Sequence, residues 1–240
     1  MKKFFLKTLT LSLILLSFLG CSSNKKNNIE SIPMKNKKYI VQENLKPSNL
    51  SGISDNQISD HWNLYVGYVN QVNKLNEELS ELAANGQLNS LIYSDRRRQY
   101  GFEYNGMVLH EYYFGNLKNN VTKKESEEIY SAIKKNWGSF DNWAQDFINT
   151  GKTRGIGWAI LYADPTTKDL INCFISEHQI GNIAGFMPIL VMDVWEHAYM
   201  VDHKAGGRGD YINAFLNNVD WSVVEKRYKD LIDSKITKRF

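Results

Sequence analysis

Between residues 54 and 84 the apolar side chains return at helical spacing. Ile58, Leu64, Tyr65, Tyr68, Val69, Val72, Leu75, Leu79 and Leu82 are separated by offsets of three, four and seven. That period lays them along one face of an amphipathic helix. His61 shares the face, about two turns before Tyr68. Ser54 with Gln57 three positions on predicts an N-cap and capping box, and Asn85-Gly86 predicts the stop. A second helix is predicted from about 94 to 117, carrying Tyr100, Tyr104, Met107, His110, Tyr113 and Phe114. Gly101 and Gly106 weaken its first half, although glycine inside a helix often marks close packing. The short link makes the two helices an antiparallel hairpin, with His110 looking back at the first arm.

After the polar Lys118-Asn119-Asn120, Thr122 and Glu125 predict a capping box for a helix to about 136, and Ser139 opens another that Gly151 closes. The period then changes. Residues 155–164 and 168–175 are strand-like and joined by Asp164-Pro165-Thr166-Thr167, hence a hairpin, and 188–193 forms a third strand. Short helices are predicted at 195–203 and 209–218, with a last one from 221 to about 235. The fold class is α+β: a long N-terminal α-hairpin over 50–119, then an α+β domain over 120–240 with a small three-stranded antiparallel sheet.

The N-terminus stands apart from this pattern. Lys2, Lys3 and Lys7 precede an apolar run over 8–19, and Gly20-Cys21 follows. This is the layout of a secretory signal peptide, too short for a comfortable membrane span. A cysteine directly after a small residue resembles the lipobox of bacterial lipoproteins, which implies a lipid anchor on Cys21 and an exported protein. Residues 21–49, polar and rich in lysine and asparagine in their first half, read as a flexible tether. The three lysines of the leader equal the whole formal charge of +3, so the remaining chain is neutral. No nucleic-acid partner follows from the charge. The chain has two cysteines, so lipidated Cys21 would leave Cys173 without a disulfide partner.

Candidate chemistry gathers at Pro188-Ile-Leu-Val-Met-Asp193-Val-Trp195-Glu196-His197-Ala-Tyr199. A carboxylate at a strand end and an imidazole four positions later, at the opening of a predicted helix, can point at one spot. Oxygen and nitrogen donors of this kind suit iron, manganese or zinc. Only five histidines exist: His61, His110, His178, His197 and His203. Three of them occupy element faces able to converge on Asp193.

The run from Asp193 to Tyr199 resembles the signature of the iron/manganese superoxide dismutases, and the likeness extends over about residues 50–232. It implies His61, His110, Asp193 and His197 as ligands of one redox-active iron or manganese ion, with superoxide as substrate. Gly155-Ile-Gly-Trp158-Ala resembles the family's Gly-x-Gly-Trp-Ala strand, and Arg208-Gly-Asp-Tyr211 its Arg-Pro-x-Tyr. By the same resemblance Tyr68 gates the channel and relays protons, and His178, or its neighbour Gln179, meets the metal-bound solvent. Tyr113, Trp158 and Trp195 form an aromatic shell, and Arg208 attracts the anion. Glu196, which in the family bonds a ligand histidine of the other subunit, implies a two-fold homodimer with Tyr199 at its interface. Two departures stand out. His61 and Tyr68 are seven residues apart where the family has eight, and Gly106 occupies a position from which some members supply a glutamine. They leave open an alternative, a surface-anchored metal-binding or structural protein of the same fold. A mononuclear iron oxygenase with two histidines and one carboxylate is disfavoured, because a fourth protein ligand would fill an open position. Iron against manganese, and dimer against tetramer, stay open.

Overall fold

The computed structural model describes residues 37–121 and 128–234. The leader, Cys21 and the Thr122–Glu125 capping box lie outside the described residues. Helix α1 (Asp55–Ala84) and helix α2 (Leu91–Gly115) form the expected hairpin. Ile58, Tyr65, Val69, Val72, Leu75 and Leu79 of α1 are buried, so most of the apolar stripe read from the sequence is the packed face, whereas Leu64 faces outward at 40% exposure. Ser54 caps α1 by accepting the Gln57 N–H at 3.1 Å. The capping box is only half made. Gln57 turns its side chain away, donating to the His197 carbonyl at 2.6 Å and accepting the Val201 N–H at 2.9 Å. Asp202 takes its place, accepting the Ser54 N–H and hydroxyl at 2.7 Å each. A tertiary partner therefore fills the role that local sequence assigned to Gln57.

Helices α3 (Glu128–Trp137) and α4 (Phe140–Gly151) lead into the sheet of β1 (Gly157–Ala163), β2 (Leu170–Ser176) and β3 (Met187–Asp193). Its order is β2-β1-β3, all antiparallel. The central strand is buried at every position, which is why it reads as an unbroken apolar run. Pairing of β1 with β3 shifts register between Leu161 and Tyr162, close to Pro188, which has no N–H for the ladder. Gly157 is obligatory: its φ is +152°, and a Cβ there would stand 1.8 Å from the Ile175 carbonyl oxygen. Beyond β3, the helix expected at Trp195 is a single 3₁₀ turn, Glu196–Ala198, followed by the short α5 (Met200–His203). Helices α6 (Arg208–Asn217) and α7 (Trp221–Ile232) close the chain's described part. Asn116 rivets three elements together. Its amide donates to the Tyr113 and Val191 carbonyls at 3.0 and 2.7 Å, and its oxygen accepts from Arg227 of α7.

The segment 37–49, expected as part of a flexible tether, is instead a strap along the hairpin. Asn73 holds Tyr39 at both ends of its peptide group, accepting its N–H at 2.8 Å and donating to its carbonyl at 2.9 Å. Asn76 donates to the Lys37 carbonyl at 2.8 Å, and the Gln42 N–H donates to the Tyr65 hydroxyl at 2.9 Å. Tyr39 meets the Tyr104 ring edge-on at 5.7 Å. Composition hid this, because backbone groups dock onto asparagine side chains and need no apolar run. Replacing Asn73 with Ala removes both bonds to Tyr39 and is expected to cost about 1–3 kcal/mol of unfolding free energy. Urea melts measure the loss, and limited proteolysis should cut first within 37–46; an unchanged midpoint and cleavage pattern would refute the strap.

Candidate metal centre

Four side chains from four elements converge. His61 comes from the second turn of α1, His110 from the last turns of α2, Asp193 from the end of β3, and His197 from the 3₁₀ turn. One donor atom from each lies within 4.8 Å of all the others. The Nε2 atoms of His61, His197 and His110 stand 3.0, 3.2 and 3.7 Å from the same carboxylate oxygen, Oδ2 of Asp193. His61, His110 and Asp193 are fully buried, while the His197 side chain keeps 22% exposure.

Two of the donors are held from behind, whereas Nδ1 of His61 is buried without a partner. The backbone N–H of Trp195 donates to Asp193 Oδ1 at 2.8 Å, which leaves Oδ2 for the cluster. Tyr211 lies with its hydroxyl 2.7 Å from the Asp193 carbonyl and 3.2 Å from the Tyr113 hydroxyl. The carbonyl can only accept, so Tyr211 gives it its single proton and Tyr113 donates to Tyr211. His110 Nδ1 is 2.6 Å from the Gly106 carbonyl. That nitrogen must therefore carry the proton, which makes Nε2 a bare lone pair.

This fixes the chemistry of the centre. Nε2 of His110 is buried, has no hydrogen-bond partner, and faces a carboxylate oxygen. Two acceptors aimed at each other need a cation between them or a proton on one. Burial, with smaller effects from His61 and His197, holds the His110 imidazole well below its ordinary pKa, so the proton is disfavoured. His61 is lowered as well, mainly by burial. Burial alone would favour neutral Asp193, but its close contacts with His197 and His61 outweigh it and hold the carboxyl well below the usual carboxylate range. Three imidazoles and one carboxylate are the donor set of a mononuclear divalent or trivalent transition metal.

Beside the cluster runs a polar chain whose direction is determined. The indole N–H of Trp158, which can only donate, gives its hydrogen to His178 Nδ1 at 3.1 Å. In the neutral ring the proton then sits on Nε2, which donates to the Tyr68 hydroxyl at 2.7 Å. Burial lowers the His178 pKa to about 4, which keeps the ring neutral. Tyr68 is held well above its ordinary pKa, first by burial and then by the charges of Asp193 and Glu103, so it keeps its own hydrogen. Trp195 stacks on His178 at 4.9 Å and on His197 at 5.6 Å. His61 and Tyr68, seven residues apart on an uninterrupted α1, stay on one face because seven steps fall only about 20° short of two turns.

Other expected positions fall elsewhere. Gln179 is exposed in the turn after β2, where the Ser176–Ile180 bridge directs His178 inward and its neighbour outward. Arg208 is committed to backbone carbonyls, Gly151 at 3.0 Å and Gly155 at 2.8 Å, and so braces the end of α4 against the approach to β1. Within its own chain Tyr199 is 4% exposed and packs on Tyr211, with ring centroids 5.5 Å apart. His203 lies 2.8 Å from the Gly52 carbonyl, outside the cluster. Sequence reasoning missed Phe102, whose ring lies 4.6 Å from His178 and 6.3 Å from Tyr68. It also missed why position 106 is glycine: a Cβ there would be 2.7 Å from the Tyr68 ring. Neither contact leaves a periodic signal.

Gly106→Ala should push the Tyr68 ring aside, breaking the bond to His178 while leaving the four donors in place. Metal content is expected to hold while the ring-proton shifts of His178 change; unchanged shifts would count against the contact. A second outcome concerns pH. The folded-state pKa values of His61, His110 and His178 are lowered, so the unfolded chain takes up protons first, near the ordinary value of about 6.5. The stability of metal-free protein should therefore fall as pH drops below about 6.5 and continue falling towards 4, where His178 itself titrates. Denaturant titrations across that range measure it, and a flat profile would refute the buried neutral imidazoles.

Comparison with known proteins agrees with this chemistry. Residues 125–227 match the model of the C-terminal domain of iron/manganese superoxide dismutases. An iron superoxide dismutase of Aquifex aeolicus is 34% identical over 197 residues, 80% of this chain and 92% of that protein. An iron superoxide dismutase of Cupriavidus metallidurans is 32% identical over 76% of this chain and 92% of its own length. A manganese superoxide dismutase of Haloarcula marismortui is 32% identical over 69% and 79%. With relatives of both metals matching and a buried three-histidine, one-aspartate cluster in place, one iron or manganese ion per subunit fits the donors, and the chain belongs to the iron/manganese superoxide dismutase family.

Proposed function

We propose that this protein is an exported superoxide dismutase, lipid-anchored through Cys21, that converts superoxide to dioxygen and hydrogen peroxide. The observation that carries the catalytic part is the bare Nε2 of His110 facing Asp193 Oδ2, both fully buried. His61, His110, Asp193 and His197 hold the ion. When bound, iron or manganese supplies a one-electron couple that can oxidise one superoxide and reduce the next.

The protein's own part is to position protons and exclude water. His178 keeps its proton on Nε2 and hands a hydrogen bond to Tyr68, whose own hydroxyl hydrogen is then free to meet a small anion or the peroxide formed from it. Trp158 fixes the tautomer of His178, and without that indole the ring could turn its lone pair to Tyr68 and reverse the chain. Tyr113, Trp158 and Trp195 pack around the ligands and keep bulk water off the donors. Arg208 contributes its charge from a braced position rather than by contact.

Two features support a two-fold homodimer. Glu196 is exposed next to His197, and His197 is the one ligand that is not sealed within its own chain. A carboxylate supplied by a second subunit would satisfy the outer nitrogen of His197 and cover this side. Export and lipidation rest on the basic, then apolar, leader ending at Gly20-Cys21.

The direct experiment is metal analysis of the purified protein, with dismutase activity measured after reconstitution with iron and with manganese. His61→Ala is expected to lose bound metal and at least about 100-fold of the activity, since a missing ligand costs at least what an orienting partner does. Metal bound without superoxide-dependent turnover would favour a binding protein of the same fold. Glu196→Ala should shift the species seen by sedimentation from dimer towards monomer, and an unchanged distribution would remove Glu196 from the interface. Cys21→Ser should abolish incorporation of labelled palmitate; retained label would place the lipid elsewhere.

A further inference from the structure

The strap and the hairpin together give the molecule a direction. The strap runs antiparallel to α1: Gln42 contacts Tyr65, Tyr39 contacts Asn73, and Lys37 contacts Asn76. Each step towards the N-terminus moves further from His61 and closer to the turn between α1 and α2. At Lys37 the chain is only eight residues of helix from Ala84, about 12 Å from the tip of the hairpin. Cys21 lies sixteen positions upstream, a reach of at most about 55 Å even when fully extended.

The tip itself is built for contact. Helix α2 starts with a proper cap, Ser90 accepting the Tyr93 N–H at 3.1 Å. Its first turn has none of the acidic residues that a helix N-terminus favours. It presents Leu91 at 89% exposure and Ile92 at 58% instead. Near them, Lys74 and Arg96, Arg97 and Arg98 are matched by Glu77, Glu78, Glu81 and Asp95. Arg96 is paired with Glu78 and Asp95, and Arg97 bonds the Tyr93 hydroxyl. Exposed Lys37 and Lys38 at the outer end of the strap leave a slight positive balance.

We propose that the hairpin tip is the membrane-facing end of the protein, with Leu91 and Ile92 seated among the headgroups and upper acyl chains of a phospholipid bilayer. The reading of Cys21 as the lipidated residue supplies what brings the chain to the surface; the tip decides how the folded part stands on it. Because charges at the tip nearly cancel, apolar contact is the main attraction and added salt changes it little. The metal centre then stands off the bilayer, since His61 is 23 residues, about 35 Å of helix, from Ala84.

The test uses the lipid-bearing mature protein on mixed phosphatidylcholine and phosphatidylglycerol vesicles, in a Cys173→Ser background. Leu91→Cys and, separately, Lys226→Cys carry an environment-sensitive fluorophore. Lys226 is exposed on α7 next to Arg227, which bonds the Tyr112 carbonyl near the far end of α2. On vesicles, emission from position 91 is expected to shift to the blue and be quenched by brominated lipid at low and high salt alike, while position 226 stays aqueous. A Leu91→Cys, Ile92→Asp protein should still float with vesicles but lose the shift. If the protein floats and position 91 stays aqueous, the tether holds the domain clear of the membrane and the proposal fails while lipidation stands. If the shift appears without vesicles and the mass rises, a second copy covers the tip and the proposal also fails. A protein that neither floats nor shifts overturns both the anchor and the docking. None of these readings depends on dismutase activity.

Discussion

Everything in the structure answers to one carboxylate oxygen. Asp193 Oδ2 is fully buried and faced by three imidazole nitrogens. A buried carboxylate is costly, by several kcal/mol even after relaxation, unless every lone pair is met. Trp195 meets Oδ1 and Tyr211 meets the carbonyl, so Oδ2 alone is left to be shared. Of its three neighbours, His110 cannot offer a hydrogen, because the Gly106 carbonyl has already fixed its proton on the other nitrogen. That frustrated contact turns a polar core into a cation site. The elements that deliver it are placed accordingly: the hairpin brings two histidines together edge-on, and β3, at the edge of the sheet, ends beside them.

The second constraint is directional. Trp158 can donate and cannot accept, so the order Trp158 to His178 to Tyr68 has only one sense. Burial keeps His178 neutral and Tyr68 protonated, which makes the chain a fixed row of donors rather than a titrating pair. The Tyr68 ring fits only because Gly106 has no side chain, so the position that could not donate a hydrogen bond makes room for the group that can. Phe102 packs against both rings and restricts their movement.

The same hairpin serves two ends. Its base carries His61 and His110, and its tip carries two exposed apolar side chains, with a strap of asparagine-held backbone connecting the N-terminal segment to that end. A long, continuous pair of helices can separate chemistry from attachment, and the length of α1 sets the separation.

How much of this was legible in the residues follows from which forces are local. Helix and strand periods, the Ser54, Ser90 and Ser139 caps and the stop at Gly151 depend on near neighbours. They agree with what the pattern predicts except at the Ser90 start, four residues upstream of the expected one, and at the helix expected from Trp195, which opens as a 3₁₀ turn. The α+β class and the antiparallel sheet followed from that pattern, and the four ligand positions from the resemblance, because donor types and their element faces survive in the residue order. What the sequence could not decide were contacts between residues far apart in it. Asp202 displaced Gln57 from the capping box, asparagine side chains captured the strap, Tyr199 packed inward on Tyr211, and Gln179 turned out while His178 turned in. Each is a choice between partners of similar strength, about 1 kcal/mol apart, which only the assembled packing can make. The residue order determined which atoms could bind a metal; the tertiary structure decided that the lone pairs of His110 and Asp193 are left facing one another, because their other atoms are taken by the Gly106 carbonyl and the Trp195 N–H.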